Sequence, residues 1–141
     1  MSNEPRRPTR LAVLTSGGDS AGMNAAVRSV VRTALHLELE VFVVLEGLQG
    51  LVDGGDLIRP ATSADVGGIM HQGGPVLGTA RSAAFRTRDG RRQAARNLVE
   101  RGVEALVVIG GDGSLTGANV FREEWSGLLD ELVERDEVER E

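Results

Sequence analysis

The sequence lacks cysteine and lysine and has few aromatic residues, and each of these gaps excludes a class of site. Without cysteine the chain forms neither disulfides nor thiolate metal sites, so a cytoplasmic setting is the default expectation. Without lysine it has neither a Walker A loop nor a Schiff-base nucleophile. Aromatic residues make up 3% of the chain, too few for a platform on which single-stranded nucleic acid would stack.

Charge and hydropathy argue against two further kinds of partner. The formal net charge of -5 argues against a general affinity for nucleic acid. No apolar run approaches the length of a membrane span, and residues 1–9 lack the apolar core of a secretion signal. We therefore expect no nucleic-acid or membrane partner, and we interpret residues 1–9 as a disordered leader.

Three short apolar runs are typical of buried parallel strands. They cover residues 10–16, 41–45 and 104–109. Stretches with helical spacing of apolar residues separate these runs, and such alternation indicates an α/β fold. We predict an open parallel sheet with helices on both faces.

The spacing of apolar residues predicts helices over residues 24–37 and 89–101, with Gly102 ending the second. A further helix follows residue 114 and is predicted to break near Ser126–Gly127. Glycine content predicts loops, which cover residues 47–56 and 72–81, with a short helix over 64–71 between them.

Two glycine-rich loops follow the first and third strands. They read "SGGDSAGMN" (16–24) and "GGDGS" (110–114). In an open parallel sheet, ligands bind beyond the carboxyl ends of the strands, and glycine lets a ligand come close to the backbone. The helix that follows each loop offers unpaired N–H groups and the positive end of its dipole. The two loops therefore predict an anionic ligand, most simply a nucleotide.

Each loop also carries one aspartate, which is Asp19 in the first loop and Asp112 in the second. A carboxylate repels phosphate unless a cation intervenes, so Asp112 indicates Mg²⁺, which proteins often hold through one or two carboxylates with phosphates and water. The alternative for both aspartates is a helix N-cap. Arg81 in "GTAR" either clamps two phosphate oxygens or forms a surface salt bridge. His36 and His71 are isolated, and we assign them to the core or the surface.

Taken together, these motifs resemble the ATP-dependent 6-phosphofructokinase family. The matching segments are "LTSGGDSAGMNAAVRSVVR" (14–32), "EGLQGLVDGGD" (46–56), "GTAR" (78–81), "FR" (85–86) and "VVIGGDGSLTGANVFREEW" (107–125). The resemblance leans toward the catalytic half of the eukaryotic type. It implies phosphoryl transfer from MgATP to the 1-hydroxyl of fructose 6-phosphate, giving fructose 1,6-bisphosphate in glycolysis. It also implies an allosteric, cytoplasmic enzyme that assembles as a homo-oligomer.

The resemblance further implies a set of site residues. Those facing ATP are Gly18, Arg81, Ser82, Gly111, Asp112, Gly113 and Ser114. Arg81 would stabilise charge on the transferring phosphoryl group, and Asp112 would lie at the magnesium ion. Gly113 favours ATP, because pyrophosphate-using relatives commonly carry an aspartate there that crowds the α-phosphate. Arg28 and Arg32 match positions that bind effector phosphates in the bacterial enzymes, or else form a solvated basic stripe.

Two departures from the family pattern qualify this interpretation. Leu48 stands where many members have an aromatic residue beside the nucleotide, and the threonine–isoleucine–aspartate–asparagine–aspartate segment that carries the catalytic base is absent from the sequence. We expect an incomplete nucleotide-binding domain over residues 10–133, a charged tail over 134–141, and no sugar phosphorylation by this chain alone. The alternatives are a lipid or NAD kinase sharing the "GGDG" loop, and a non-catalytic nucleotide-sensing module.

Overall fold

A computed structural model describes residues 8–17, 22–62, 77–79 and 82–135, except for the side chain of Asp112. In chain order the elements are β1 (Arg10–Thr15), α1 (Met23–His36), β2 (Glu40–Val44), α2 (Gly47–Asp53), β3 (Ile58–Pro60), α3 (Arg88–Glu100), β4 (Ala105–Ile109) and α4 (Asp112–Glu134). Single turns of 3-10 helix lie at Gly55–Leu57 and Ala84–Arg86.

The strands form one sheet in the order β3-β2-β1-β4. Strand β1 is central and runs parallel to both neighbours, with Val13 opposite Val43 on one side and Val107 on the other. Strand β3 pairs antiparallel with β2 at the edge, so the sheet is mixed. The predicted α/β fold is confirmed. Its third strand along the chain was missed, because three residues ending in proline are too short to show a periodic pattern.

Helices cover both faces of the sheet, as predicted. Ala12 and Leu14 of β1 pack into a buried cluster with residues of α2, α3 and α4. Val13, which points to the opposite face, belongs to a second cluster with Val27 and Val31 of α1. Because successive strand side chains point to opposite faces, β1 is buried on both sides, which explains its unbroken apolar run.

The prediction of a loop over residues 47–56 is wrong for its first half, where helix α2 spans Gly47–Asp53. A Cβ atom added to Gly50 would lie 1.7 Å from the carbonyl oxygen of Leu45, so this glycine lets the helix approach the preceding chain closely. Leu51 and Val52 are buried beneath it. Glycine content indicated a turn, whereas here it serves tight packing.

The predicted break near Ser126–Gly127 is also wrong, since α4 continues through both residues to Glu134. Leu128 and Leu132, which follow the glycine, are completely buried. Gly127 lies beside α3, where an added Cβ would sit 3.1 Å from Nη2 of Arg88. Burial of the helix beyond residue 127 outweighs the weak helix propensity of one glycine.

The end of α3 follows the predicted cap. Gly102 has a φ of 67°, its N–H donates to the carbonyl of Val99, and the N–H of Val103 donates to that of Leu98. This pair of bonds is the Schellman motif, which favours glycine because the backbone is left-handed. The predicted helix over 64–71 and most of the loop over 72–81 lie outside the described residues. Within the described ranges, no helix is both long enough and apolar enough to cross a membrane.

Candidate nucleotide site

The carboxyl ends of β1 and β4 meet at one edge of the sheet. The backbone N–H of Ser16 donates to the carbonyl of Ile109 at 2.9 Å. The hydroxyl of Ser114 donates to Oγ of Ser16, also at 2.9 Å, and both side chains are buried. A Cβ on Gly110 would lie 2.4 Å from the carbonyl oxygen of Ser16, so only glycine allows this approach. These contacts join the two glycine-rich loops predicted from the sequence.

Helix α4 begins at this junction with its backbone exposed. Gly111 is the N-cap residue in an extended conformation and has no side chain with which to cap the helix, while the N–H of Leu115 is bonded to the Gly111 carbonyl. The N–H groups before Leu115 have no acceptor within the helix. A Cβ on Gly111 or Gly113 would meet nothing within 4 Å. The helix start therefore presents donors and a positive dipole end to open space.

A cavity of about 460 Å³ lies in front of this helix start. It is lined by Ser16, Gly17, Leu48, Thr79, Ser82, Phe85, Arg86, Arg91, Gly113, Ser114, Thr116, Gly117 and Val120. The end at Ser16 and Gly113 is formed by the glycine loops, and Leu48, Phe85 and Val120 add apolar surface. Backbone donors and hydroxyls suit an anionic group, and the apolar residues suit a flat organic one.

The wall of the cavity at Ser82 is fixed by local hydrogen bonds and aromatic packing. Oγ of Ser82 accepts a hydrogen bond from the N–H of Phe85 at 3.0 Å, which leaves the hydroxyl proton available for a ligand. The ring of Phe85 packs edge-on against Phe121 with centroids 5.3 Å apart, and Phe121 packs likewise on Trp125. The 3-10 turn is thereby attached to α4.

Arg91 supports the same wall. Its Nη1 donates to the carbonyl of Phe85 at 3.0 Å, and its Nε and Nη2 bond the carboxylate of Glu124 on α4. The hydrogen bond from Arg91 lowers the pKa of Glu124 below its ordinary value of 4.5, and Arg88 adds to the effect. Arg86 also lines the cavity and is exposed to solvent.

The structure brings some of the predicted site residues together. Ser82, Gly113 and Ser114 line the cavity, and Gly111 caps the adjoining helix. Asp112 is the first residue of α4 and Gly111 holds the N-cap position, so the capping alternative for Asp112 is wrong. Its side chain lies outside the described part of the chain, as do Gly18, Asp19 and Arg81.

Most of the remaining predicted positions lie away from the cavity. Arg28 is half-buried and Arg32 exposed on α1, and neither lines the cavity. His36 is at the surface, as assigned, and His71 is outside the described residues. Leu48 lines the cavity, so the position that departs from the family pattern faces the ligand space.

Sequence reasoning gave no role to several cavity residues. Phe85 and Arg86 appeared only as the quoted "FR" pair, and Arg91 belonged to no motif. The available signal is the position of "FR" just after "GTAR". The sequence did not indicate the 3-10 turn that packs this segment against α4. Among the described side chains, no group of three or more His, Cys, Asp or Glu is placed to hold a metal ion.

Comparison with known proteins agrees with this geometry. A family model described as phosphofructokinase matches residues 10–133. The ATP-dependent 6-phosphofructokinase of Aspergillus niger is 56% identical over 138 residues, and the platelet-type human enzyme is 55% identical over 131. A phosphofructokinase structure from Saccharomyces cerevisiae superposes with a TM-score of 0.87 at 58% identity and covers 89% of this chain.

The match is one-sided in length. It covers 98% of this chain but 18% of the Aspergillus niger protein, and 93% of this chain but 17% of the human one. In the yeast structure it covers 17% of that chain. The chain thus spans under a fifth of the length of the curated relatives it matches. With a family model that extends over most of its residues and a fold that superposes on a solved member, the chain belongs to the phosphofructokinase family.

Proposed function

We propose that this segment binds MgATP in the cavity between β1, β4 and α4, as the nucleotide-binding part of an ATP-dependent 6-phosphofructokinase. The observation that carries the proposal is the open start of α4. Gly111 and Gly113 face open space there, beside the buried Ser16–Ser114 hydrogen bond. A phosphate chain there gains backbone donors and the helix dipole without displacing any of the described side chains. The apolar residues that line the cavity suit the base.

The donor set at α4 fits a magnesium ion bound together with a nucleotide. Mg²⁺ usually keeps several waters and takes one or two carboxylates plus substrate phosphates, so it needs no cage made only of protein. Asp112 supplies one carboxylate at the helix start, and the described side chains supply no competing acidic cluster. Asp112 would hold the ion, which when bound neutralises charge on the phosphates.

The chain's own residues then have separate tasks. The backbone at Gly111 to Ser114 binds phosphate. The oxygen of Ser82 accepts a hydrogen bond from the N–H of Phe85, and the hydroxyl proton donates to the ligand. Arg81 follows the loop at 77–79 and would stabilise the transferring phosphoryl group, with Gly18 contacting ATP from the first loop. Such catalysis depends mainly on positioning and charge neutralisation.

The acceptor and the assembly belong to the same proposal. We assign the 1-hydroxyl of fructose 6-phosphate as acceptor and a cytoplasmic homo-oligomer as the working form, in a longer polypeptide that supplies the sugar contacts and the proton acceptor.

The same proposal includes an effector site on α1. Arg28 and Arg32 lie one turn apart on this helix, a spacing that lets two guanidinium groups bind one effector phosphate.

The test is calorimetric titration of the 141-residue chain with MgATP, with and without Asp112→Asn, next to a coupled assay with fructose 6-phosphate. We expect weak binding that requires Mg²⁺ and is reduced about tenfold or more by the substitution. We expect no turnover by this chain alone. If an effector binds better than MgATP and the Asp112 variant binds equally well, the nucleotide-sensing alternative replaces this proposal.

A further inference from the structure

The last residue of β1, Thr15, carries a buried hydroxyl in a setting that favours an apolar side chain. Thr15 is completely buried at the centre of the sheet, between Leu14 and Ser16. Burying a hydroxyl is unfavourable unless it is hydrogen-bonded, and valine has nearly the same shape without that penalty. The polar group therefore calls for an explanation other than packing.

The hydroxyl of Thr15 has a partner on a loop that is distant in the sequence. Oγ1 donates to the carbonyl of Gly78 at 2.9 Å, across 63 residues of sequence. The same loop is held at a second point, where the N–H of Glu46 donates to the carbonyl of Leu77 at 2.7 Å. Leu77 itself is buried in the cluster beneath α1. Residues 77–79 are thus attached to the last residue of β1 and to Glu46, which lies two residues beyond the end of β2.

The conformation of the loop makes these attachments specific. Gly78 has a φ of 81°, and a Cβ there would lie 2.7 Å from Oε1 of Glu46. Its carbonyl therefore points to Thr15 through a backbone shape that only glycine adopts readily. The next residue, Thr79, lines the cavity together with Ser16 and Gly113. A shift of Gly78 relative to β1 would move this wall of the cavity.

We propose that Thr15 is a positioning residue for phosphoryl transfer. Its hydroxyl sets the 77–79 loop, and with it Thr79, relative to Ser16 and Gly113, which line the same cavity. The inference rests on the proposed function, which assigns Arg81 to the transferring phosphoryl group. That group is the terminal phosphate of ATP and is missing from ADP, so Thr15 should affect the two nucleotides unequally.

The experiment compares Thr15→Val with Thr15→Ser in the 141-residue chain. Valine keeps the shape and removes the donor, whereas serine keeps the donor. By calorimetry we expect Thr15→Val to weaken MgATP about 3- to 10-fold, as loss of one hydrogen bond allows, and to change MgADP by less than about twofold. Thr15→Ser should retain wild-type discrimination between the two. Equal loss for both nucleotides, or no recovery with serine, would overturn the inference.

Amide hydrogen exchange separates this inference from the proposed function. If the wild-type chain binds neither nucleotide, the proposed function fails on that result alone. The attachment is then judged by exchange at residues 77–79, which should be faster in Thr15→Val than in the wild type and in Thr15→Ser. Unchanged exchange in the valine variant would show that the hydroxyl does not hold the loop.

Discussion

Gly110 and Gly113 lie close together near the start of α4, and they differ in what surrounds them. Gly110 is enclosed, because a Cβ there would collide with the Ser16 carbonyl and the side chain of Ser114. Gly113 faces open space, with nothing within 4 Å of an added Cβ. The first is required for the fold. The second leaves room for a ligand and can be substituted without disturbing the protein.

The substitution Gly113→Asp should therefore abolish nucleotide binding while leaving the fold intact. A carboxylate in the first turn of α4 is favourable for the helix dipole but repels phosphate in the cavity. We expect MgATP affinity to fall about a hundredfold or more, since juxtaposed like charges cost several kcal/mol. Titration calorimetry measures the loss.

The matched control for this change is Gly113→Ala, which adds the Cβ without the charge. It should bind MgATP like the wild type, and its midpoint of urea unfolding should rise, because alanine stabilises a helix by about 0.5–1 kcal/mol over glycine. An alanine variant that binds as poorly as the aspartate variant would show that the lost space, and not the charge, is responsible.

At the scale of elements, the pairing of α3 with α4 is polar on its outer side. Arg88 and Arg91 of α3 both bond the carboxylate of Glu124. Arg88 also bonds Glu131, which lies about two turns further along α4. The side chains of Arg91 and Glu124 are 14% and 18% exposed, so this pair is poorly screened by solvent. These ion pairs hold the segment that contains Phe85 against α4, whose first turn borders the cavity.

Removing the carboxylate with Glu124→Gln should destabilise the fold in a pH-dependent way. The pKa of Glu124 is lowered in the folded state, so its contribution is present above the ordinary value of 4.5 and is lost as pH falls through the folded-state pKa. We expect the variant to be less stable by about 1–3 kcal/mol at neutral pH. The difference from the wild type should shrink as pH falls below 4.5.

Urea unfolding across this pH range measures the effect, and Glu134→Gln is the control. Glu134 is exposed at the end of the same helix, so its substitution should leave stability nearly unchanged. A difference between Glu124→Gln and wild type that stays constant from neutral to acidic pH would contradict the assigned role of the charge.

The continuity of α4 makes a second prediction at this scale. Gly127 lies within the helix, and an added Cβ would touch only Nη2 at the flexible end of Arg88, at 3.1 Å. Gly127→Ala should raise the free energy of unfolding by about 0.5–1 kcal/mol, as it does in an uninterrupted helix. A helix broken at this residue would instead be unaffected or destabilised, and chemical denaturation distinguishes the two.

At the scale of the whole molecule, the surface beside β4 is apolar. Within the described part of the chain, β4 pairs on one side with β1, and every residue of the strand is partly exposed. A groove of about 530 Å³ runs along it, lined mainly by apolar side chains that include Leu106, Val108, Leu115 and Trp125. An open strand edge beside such a surface promotes association between copies.

We therefore expect this chain to bind a hydrophobic dye and to associate as its concentration rises. Leu115, 51% exposed in the groove, is the residue to change, and Leu37, 43% exposed on α1 outside it, is the matched control. Leu115→Glu should reduce dye binding and association in analytical ultracentrifugation, and Leu37→Glu should leave both unchanged. A sharp, cooperative melt of a purely monomeric wild type would count against this expectation.

Local patterns were enough to predict most of the fold. The apolar runs and helical spacing located β1, α1, β2, α3 and β4 to within a residue or two at each end. Burial on both faces of a parallel sheet gives an unbroken apolar run, and burial on one face of a helix gives apolar residues at helical spacing. Glycine misled twice, at Gly50 and Gly127, because the same residue permits a turn and permits close packing.

The sequence by itself determined the family, the alternation of strands and helices, and the position of the two glycine-rich loops, since each is encoded in contiguous residues. Only the tertiary structure decided that Arg91 and Glu124 brace the cavity wall, that Thr15 fastens the 77–79 loop, and that α2 and α4 pass through their glycines as helices. The physical reason is distance along the chain. The Arg91–Glu124 and Thr15–Gly78 contacts join residues 33 and 63 positions apart, and no short-range periodicity indicates which distant partner a polar side chain will meet.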